Sequence, residues 1–280
     1  MRAALHYSAG HIVSDKVAVD TPSVERDAQA LYDEHARRTR FRSAPPPSAT
    51  TVRAAYDVQR AYVGLLRRDD GAVVGYKIGL TSPRMQAMCG IAEPVCGAVL
   101  AQRVHRSGVR LKRSDHGRLG LEFEIAVRIG RDTDTGASVP YTWDMVRAHV
   151  DGVCAALEVV DDRHADYSAL DVRGLVADNA WNAGVVLSDF IGAWPDLPSV
   201  EGIVRVNGEA IDRGFGRDVL GDPLGVVAWL ANHLAAHGER LSAGQFVMTG
   251  SLVPTRFPAD NADYRFDVDG IGSVCATVAA

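Results

Sequence analysis

The sharpest alternation of apolar and polar residues in the chain lies between residues 120 and 130, and it predicts a half-buried β-strand. One face of that strand carries Leu121, Phe123, Ile125, Val127 and Ile129. Glu122 and Glu124 therefore point together to the opposite face. A solvated polar face is the ordinary explanation for such a pair, because most carboxylates on strands are only hydrated.

A second carboxylate lies inside an apolar stretch, residues 155–163, which also has the pattern of a strand. Glu158 shares a face with Ala156 and Val160, so we expect its side chain to point inward. A buried carboxylate is either paired with a cationic side chain or bound to a metal. Together with Glu122 and Glu124, Glu158 could supply half of the oxygen shell of Mg²⁺ or Mn²⁺. A buried Glu–Arg or Glu–Lys pair is the structural alternative, and spacing does not exclude it.

The remaining pattern predicts few helices and many strands. Helices are expected from residue 21, over 51–68 and 142–150, and after the Asp222–Pro223 cap; strands are expected over 72–78, 97–101, 176–188, 202–206, 246–249, 264–268 and 273–278. Asn207–Gly208 is a strong hairpin turn. Because helices and strands do not alternate regularly, the sequence favours an α+β fold with a mixed sheet or barrel. We expect an N-terminal arm and helices over residues 1–70 and the catalytic domain over 71–280.

Composition excludes several classes of protein. The 280 residues are 47% hydrophobic with a net charge of -5 and no basic stripe, which argues against a nucleic-acid partner. No apolar run reaches the roughly 20 residues that cross a bilayer, and the N-terminus lacks the pattern of a signal peptide. Cys89, Cys96, Cys154 and Cys275 have no metal-binding spacing, so we expect free thiols in the cytoplasm.

Three further stretches are candidates for chemistry. Lys77 lies inside a predicted strand and is either an edge-strand charge or a site residue that stabilises an enolate or moves protons. Residues 250–254 follow a strand and could present donors to a ligand, although a plain turn explains them equally well. Residues 178–184 are too polar for a buried strand start and suggest a loop or a site wall. Nucleophile-elbow, phosphate-loop and zinc-protease motifs are absent from the sequence.

Six stretches, taken together and in order, resemble the fumarylacetoacetate hydrolase superfamily. They are residues 75–82 (GYKIGLTS), 121–126 (LEFEIA), 157–163 (LEVVDDR), 177–180 (ADNA), 220–224 (LGDPL) and 248–250 (MTG). Within the superfamily the chain is most similar to the 2-keto-4-pentenoate hydratase and 4-oxalocrotonate decarboxylase branch, from about residue 51 to the C-terminus.

The resemblance implies a mixed β-roll or barrel that holds one Mg²⁺ or Mn²⁺. Glu122, Glu124 and Glu158 match the metal-ligand positions, and Lys77 matches the active-site lysine. The implied substrate is a 2-oxo or 2-hydroxydienoic acid. Arg163 and Ser251 are further catalytic candidates, with Arg163 steadying the substrate carboxylate or pairing with a ligand carboxylate. The candidate substrate-binding residues are Thr81, Ser82, Asp178, Trp181 and Thr249.

The expected activity is hydration of a 2-hydroxypenta-2,4-dienoate-like substrate to a 4-hydroxy-2-oxo acid, in the breakdown of aromatic compounds. Two departures from the branch leave alternatives open: Val95 stands where hydratases carry an acidic residue, and Trp181 stands where serine is common. The alternatives are a decarboxylase, a hydrolase that splits a C–C bond of an acylpyruvate, and a non-catalytic subunit that partners a decarboxylase. A homo-oligomer is expected from the resemblance.

Overall fold

The structure, a computed structural model, describes residues 20–136, 140–259 and 261–280, and the arm predicted for residues 1–20 lies almost wholly outside them. The helices are α1 (Thr21–Ala36), α2 (Val52–Asp70), α3 (Pro83–Cys89), α4 (Trp143–Arg147), α5 (Val172–Ala177) and α6 (Pro223–Ala236). The strands are β1 (Val73–Gly79), β2 (Val95–Leu100), β3 (Val104–Arg106), β4 (Val109–Lys112), β5 (Leu119–Ile129), β6 (Val150–Asp161), β7 (Asn182–Leu187), β8 (Glu201–Val206), β9 (Glu209–Phe215), β10 (Phe246–Ser251), β11 (Ala262–Val268) and β12 (Gly272–Ala279).

Two mixed sheets make up the β structure. The larger has the strand order β2-β1-β10-β5-β6-β7-β3, with parallel pairing of β1 with β10 and of β3 with β7. The smaller has the order β4-β12-β11-β8-β9, and β8 and β9 are joined by the predicted turn at Asn207 and Gly208. Both turn residues have positive φ, as this type of hairpin requires. The predicted α+β class with mixed sheets is therefore confirmed.

One continuous hydrophobic core holds the helices and both sheets together. Leu121, Phe123 and Ile125 of β5 are fully buried in it, and Leu31 of α1 and Tyr62 of α2 belong to the same cluster. The N-terminal helices thus share apolar contacts with the sheets, while a division near residue 70 stays a prediction. Among the described residues, no helix is both long and apolar enough to cross a membrane.

Local signals place the helix starts accurately. The Thr51 side chain accepts a hydrogen bond from the backbone N–H of Ala54, and the Asp222 side chain accepts one from that of Leu224, with Pro223 in the first turn. The helix expected over 142–150 is shorter in the structure. It ends at Arg147, and Val150 already belongs to β6. Helix boundaries within a residue or two of a strand are set by the sheet rather than by helix propensity.

The strand expected over residues 176–188 was wrong in its first half. Helix α5 runs to Ala177, a 3-10 turn covers residues 179–181, and only then does β7 begin. Asn179, Ala180 and Trp181 all have positive φ, which no strand accommodates. The Asn179 side chain holds this turn against β2, since it accepts from the backbone N–H of Ala98 and donates to its carbonyl.

Candidate metal centre

Five adjacent strands of the larger sheet bring the candidate residues together. Lys77 lies on β1, Gly250 on β10, Glu122 and Glu124 on β5, Glu158 on β6 and Asn182 on β7. In the antiparallel pairing of β5 with β6, Glu122 lies directly opposite Glu158. Like charges opposite one another destabilise a sheet unless something compensates them. This register therefore needs a positive charge nearby.

The three carboxylates meet inside the protein. One oxygen from each of Glu122, Glu124 and Glu158 lies within 4.8 Å of the others. Glu124 and Glu158 are completely buried and Glu122 is partly buried. The ordinary explanation, that the carboxylates are only hydrated on an exposed strand face, is thus ruled out for Glu124 and Glu158.

Lys77 supplies part of the missing positive charge. Its Nζ lies 3.3 Å from Glu158 Oε1, and the side chain is 5% exposed. The alternative of a buried Glu–Lys pair is therefore realised, but only in part, because one ammonium faces three carboxylates. If all four groups are ionised, two negative charges remain uncompensated, and one divalent cation would neutralise them.

The pKa values of the cluster reflect the same excess of negative charge. Burial raises the pKa of Glu158 to about 7, against the lowering effect of Lys77. Burial, followed by the charges of Glu158 and Glu122, holds the pKa of Glu124 well above its usual range. Burial lowers the pKa of Lys77, but the three carboxylates outweigh it and leave that pKa raised. Without a cation, the cluster therefore tends to retain protons.

Two buried oxygens identify what the cluster lacks. Glu124 Oε1 and Glu158 Oε2 have no hydrogen-bond partner in the described part of the chain. An unpartnered buried carboxylate oxygen is costly in a folded protein and calls for a ligand. Oxygen donors alone, in an anionic cluster, fit a hard divalent cation such as Mg²⁺ or Mn²⁺. The residues present therefore fit the predicted metal.

The other oxygen of each carboxylate has a donor, and sequence reasoning missed two of these three donors. Thr255 Oγ1 donates to Glu122 Oε1 at 2.6 Å and Asn182 Nδ2 to Glu158 Oε1 at 2.9 Å. The backbone N–H of Gly250 donates to Glu124 Oε2 at 2.8 Å. The sequence left two interpretations of residues 250–254, donors to a ligand or a plain turn, and in the structure the Gly250 N–H donates to a carboxylate of the cluster.

Arg163 is not paired with a carboxylate of the cluster, which corrects that part of the expectation. Its NH2 donates to Asp178 Oδ2 at 2.6 Å, its Nε donates to the carbonyl of Thr39, and its side chain is 1% exposed. His35 of α1 contacts both Arg163 and Asp178. Burial opposes ionisation of Asp178, but His35 and Arg163 outweigh it and lower its pKa. Asp178 and Arg163 thus form a buried ion pair, and their roles toward substrate stay predictions.

The hydroxyls of Ser251 and Thr249 are also engaged by the backbone. Ser251 Oγ accepts from the N–H of Phe123 at 2.9 Å and donates to the carbonyl of Val253 at 2.8 Å. Thr249 Oγ1 donates to the carbonyl of Ile125 at 2.7 Å. These bonds tie β10 and the loop after it to β5. Their predicted contacts with substrate remain untested.

Thr81, Ser82 and Trp181 lie in three different settings. Thr81 is buried against Gly250, and Ser82 caps α3 by accepting from the N–H of Met85 at 3.3 Å. The Trp181 ring packs edge-on against Phe41 and Tyr167, and its Nε1 has no hydrogen-bond partner among the described residues.

Fold and site together define a mixed-sheet protein with a largely buried carboxylate cluster whose oxygens fit a divalent cation. Residues 92–279 match the family model described as fumarylacetoacetate (FAA) hydrolase C-terminal. The chain belongs to the fumarylacetoacetate hydrolase family, as its sequence motifs predicted.

Its relatives come from bacteria and include hydratases and decarboxylases. A 2-keto-4-pentenoate hydratase of Burkholderia vietnamiensis (strain G4 / LMG 22486) is 36% identical over 80% of this chain and 84% of the relative. A 2-hydroxyhexa-2,4-dienoate hydratase of Comamonas testosteroni is 32% identical over 91% and 97%. The solved structure of 4-oxalocrotonate decarboxylase from Pseudomonas putida G7, complexed with magnesium and adipate, superimposes with a TM-score of 0.82 at 28% identity, covering 92% of this chain and 98% of that one.

Proposed function

We propose that this protein is a divalent-metal-dependent hydro-lyase that hydrates 2-hydroxypenta-2,4-dienoate-like acids to 4-hydroxy-2-oxo acids. The observation that carries the proposal is that two buried carboxylate oxygens, Glu124 Oε1 and Glu158 Oε2, have no hydrogen-bond partner among the described residues, in the cluster that Lys77 contacts through Glu158. Relatives named as hydratases, including the two described above, support this reaction over others of the family.

Glu122, Glu124 and Glu158 would hold the cation. When bound there, Mg²⁺ or Mn²⁺ supplies Lewis-acid stabilisation of negative charge on the carboxylate and C2 oxygens of a 2-oxo acid. Because two of the three carboxylates are buried, water would not compete with them for the cation from the interior of the protein. Glu122 is the most exposed of the three, so the substrate would approach from its side.

Lys77 is the group in this cluster best suited to move a proton. Hydration requires the dienol to lose its hydroxyl proton and gain one on carbon, after which water adds at C4 and C3 gains a proton. The Lys77 ammonium, held 3.3 Å from Glu158, can donate a proton and then recover one. Its positive charge also stabilises an enolate oxygen electrostatically.

Trp181 and Tyr167 are proposed as the wall that faces the substrate tail. Burial, the Asp162 carboxylate and, to a smaller extent, Glu122 raise the pKa of Tyr167, whose hydroxyl donates to Asp162 Oδ2 at 3.0 Å. The Trp181 ring packs edge-on against Tyr167, with the ring centroids 5.7 Å apart. A bulky ring at this position would limit the length of the tail, which Trp181→Ser is expected to relieve.

The decisive experiment assays the purified full chain with Mg²⁺ against three substrates: a 2-hydroxydienoate, a 4-oxalocrotonate-type 2-oxo diacid and an acylpyruvate. Conversion of the 2-hydroxydienoate to its hydrated product supports the proposal. Release of CO₂ from the diacid alone would favour the second candidate, a decarboxylase. The TM-score of 0.82 with the decarboxylase structure is the observation that supports this candidate. Cleavage of the acylpyruvate alone would instead identify a C–C bond hydrolase.

Turnover by the isolated chain would also exclude the non-catalytic subunit that partners a decarboxylase. We further propose a cytoplasmic location and a homo-oligomer. Four free cysteines fit a reducing compartment. Fractionation of cells and light scattering of the purified protein test these two points.

A further inference from the structure

The three carboxylates of the centre are held in the same manner although their donors come from different parts of the chain. Each has one oxygen bonded to a donor: Glu122 to Thr255, Glu124 to Gly250 and Glu158 to Asn182. For the two fully buried glutamates, the other oxygen has no partner within the described residues. A carboxylate anchored through one oxygen cannot turn freely, so its second oxygen is presented in a fixed direction.

We propose that Thr255 and Asn182, together with the backbone N–H of Gly250, are positioning groups that set the affinity of the centre for its cation. None of them is a ligand in this proposal, and each acts through the glutamate that it holds. The inference rests on the proposed cation site and deepens it.

Gly250 is suited to its role in a way that other residues are not. Its φ of +111° favours glycine, and a Cβ at this position would lie 2.3 Å from Thr81 Oγ1. The Thr81 side chain thus packs directly against the Gly250 backbone, whose N–H faces Glu124. Glycine thus adopts the backbone conformation that aims the amide at the carboxylate and leaves room for the Thr81 side chain.

Asn182 acts at the start of β7. Its Nδ2 donates to Glu158 Oε1, the same oxygen that Lys77 approaches at 3.3 Å. Two donors on Oε1 leave Oε2 as the free oxygen of this carboxylate. Asn182 pairs with Val160 where β7 lies beside β6, so the pairing of the two strands fixes the position of its backbone.

Thr255 lies in the irregular segment between β10 and β11. That segment is fixed to β5 by two backbone hydrogen bonds between Leu121 and Arg256, at 2.8 and 2.9 Å. The neighbouring Thr255 hydroxyl is thereby aimed at Glu122, the partly buried glutamate. Because Glu122 has the least packing around it, we expect the loss of its donor to have a clear effect.

The test measures the Kd of the full chain for Mn²⁺ by the electron paramagnetic resonance signal of the free ion. Thr255→Val keeps the shape and removes the donor, and Asn182→Leu removes the donor while keeping a side chain that branches at Cγ. Each is expected to weaken Mn²⁺ binding about 10- to 100-fold. Thr255→Ser retains the hydroxyl and is expected to restore most of the affinity.

A matched control exists in the smaller sheet. Thr277 Oγ1 donates to Asp263 Oδ1 at 2.7 Å, which is the same kind of bond at an exposed position. Thr277→Val is expected to leave the Kd unchanged. Normal affinity in both Thr255→Val and Asn182→Leu, with binding lost in Glu158→Gln, would overturn the positioning proposal and leave the proposed function standing. Failure of the unmodified chain to bind Mn²⁺ would overturn both.

Discussion

The charged cluster around Lys77 in the larger sheet and the one around Asp267 in the smaller sheet differ in their burial. In the larger sheet, Lys77, Glu124 and Glu158 are buried, and two carboxylate oxygens have no hydrogen-bond partner in the part of the chain that the structure describes. In the smaller sheet, Asp267 receives hydrogen bonds from both Arg205 and Arg265, and all three side chains are roughly a third to a half exposed. Charge as such therefore does not mark a site; burial with unsatisfied bonding capacity does.

The strongest test of this contrast removes one buried carboxylate. Glu158→Gln is expected to abolish tight Mn²⁺ binding and to lower kcat/KM more than about 1,000-fold, because a cation contributes several kcal/mol to such reactions. Calorimetry with Mn²⁺ and steady-state assays measure both effects. The metal-free variant should unfold at no lower temperature than the parent, since the substitution removes a repelling charge. Undiminished metal binding would show that the cluster is only structural.

The second test separates the ammonium from the carboxylates. Lys77→Met is expected to lower kcat by about 100- to 1,000-fold through loss of proton transfer. Metal binding should survive, because Lys77 is not among the carboxylate ligands. The measurement is kcat alongside the Kd for Mn²⁺. Full activity in this variant would assign the proton transfers to another group.

A smaller effect is expected from pH. The pKa of Glu158 lies at about 7 in the folded protein and near 4.5 when unfolded, so the stability gained from its proton is present below about pH 4.5 and lost as pH rises through 7. Mg²⁺ bound at the proposed site would take the place of that proton, so the stabilisation by Mg²⁺ should grow with pH. Mg²⁺ should raise the Tm more at pH 8 than at pH 5.5. We expect the difference between the two rises to be at least about 2–4 °C. Equal rises at both pH values would contradict the linkage.

The smallest effect should come from the exposed ion pairs of Asp267 with Arg205 and Arg265. Asp267→Asn weakens its two arginine contacts, and such surface pairs contribute about 0–1 kcal/mol. Activity and Mn²⁺ affinity should not change, and urea unfolding measures the stability. A large loss of activity here would mean that the two sheets are not functionally distinct.

The sequence alone predicted the parts of the site that obey a local rule. Alternation along residues 120–130 placed Glu122 and Glu124 on one face, and Glu158 in an apolar stretch was expected inside. The family resemblance predicted the fold and the mixed sheets. Each of these predictions depends on a period or a motif within a few residues.

What the sequence did not reveal depends on distant contacts. Thr255 lies 133 residues from Glu122, and nothing in its neighbourhood distinguishes its hydroxyl from others. Arg163 directly follows two aspartates, yet its partner is Asp178, which the turn with three left-handed residues brings close. Left-handed φ at non-glycine residues such as Ala180 leaves no compositional signal, so the strand predicted over 176–188 ran through the turn, although the polarity of residues 178–184 indicated a loop.

The antiparallel register of β5 and β6 has a consequence for how the chain reaches its native state. Side chains alternate along a strand, so a slip of one residue would turn Glu122 and Glu124 into the hydrophobic core and bring Phe123 out in their place. Such a slip would take Glu122 and Glu124 away from Glu158 and break up the proposed cation site. A cation bound to all three glutamates would thus stabilise the native alignment of the two central strands over the one-residue slip during folding.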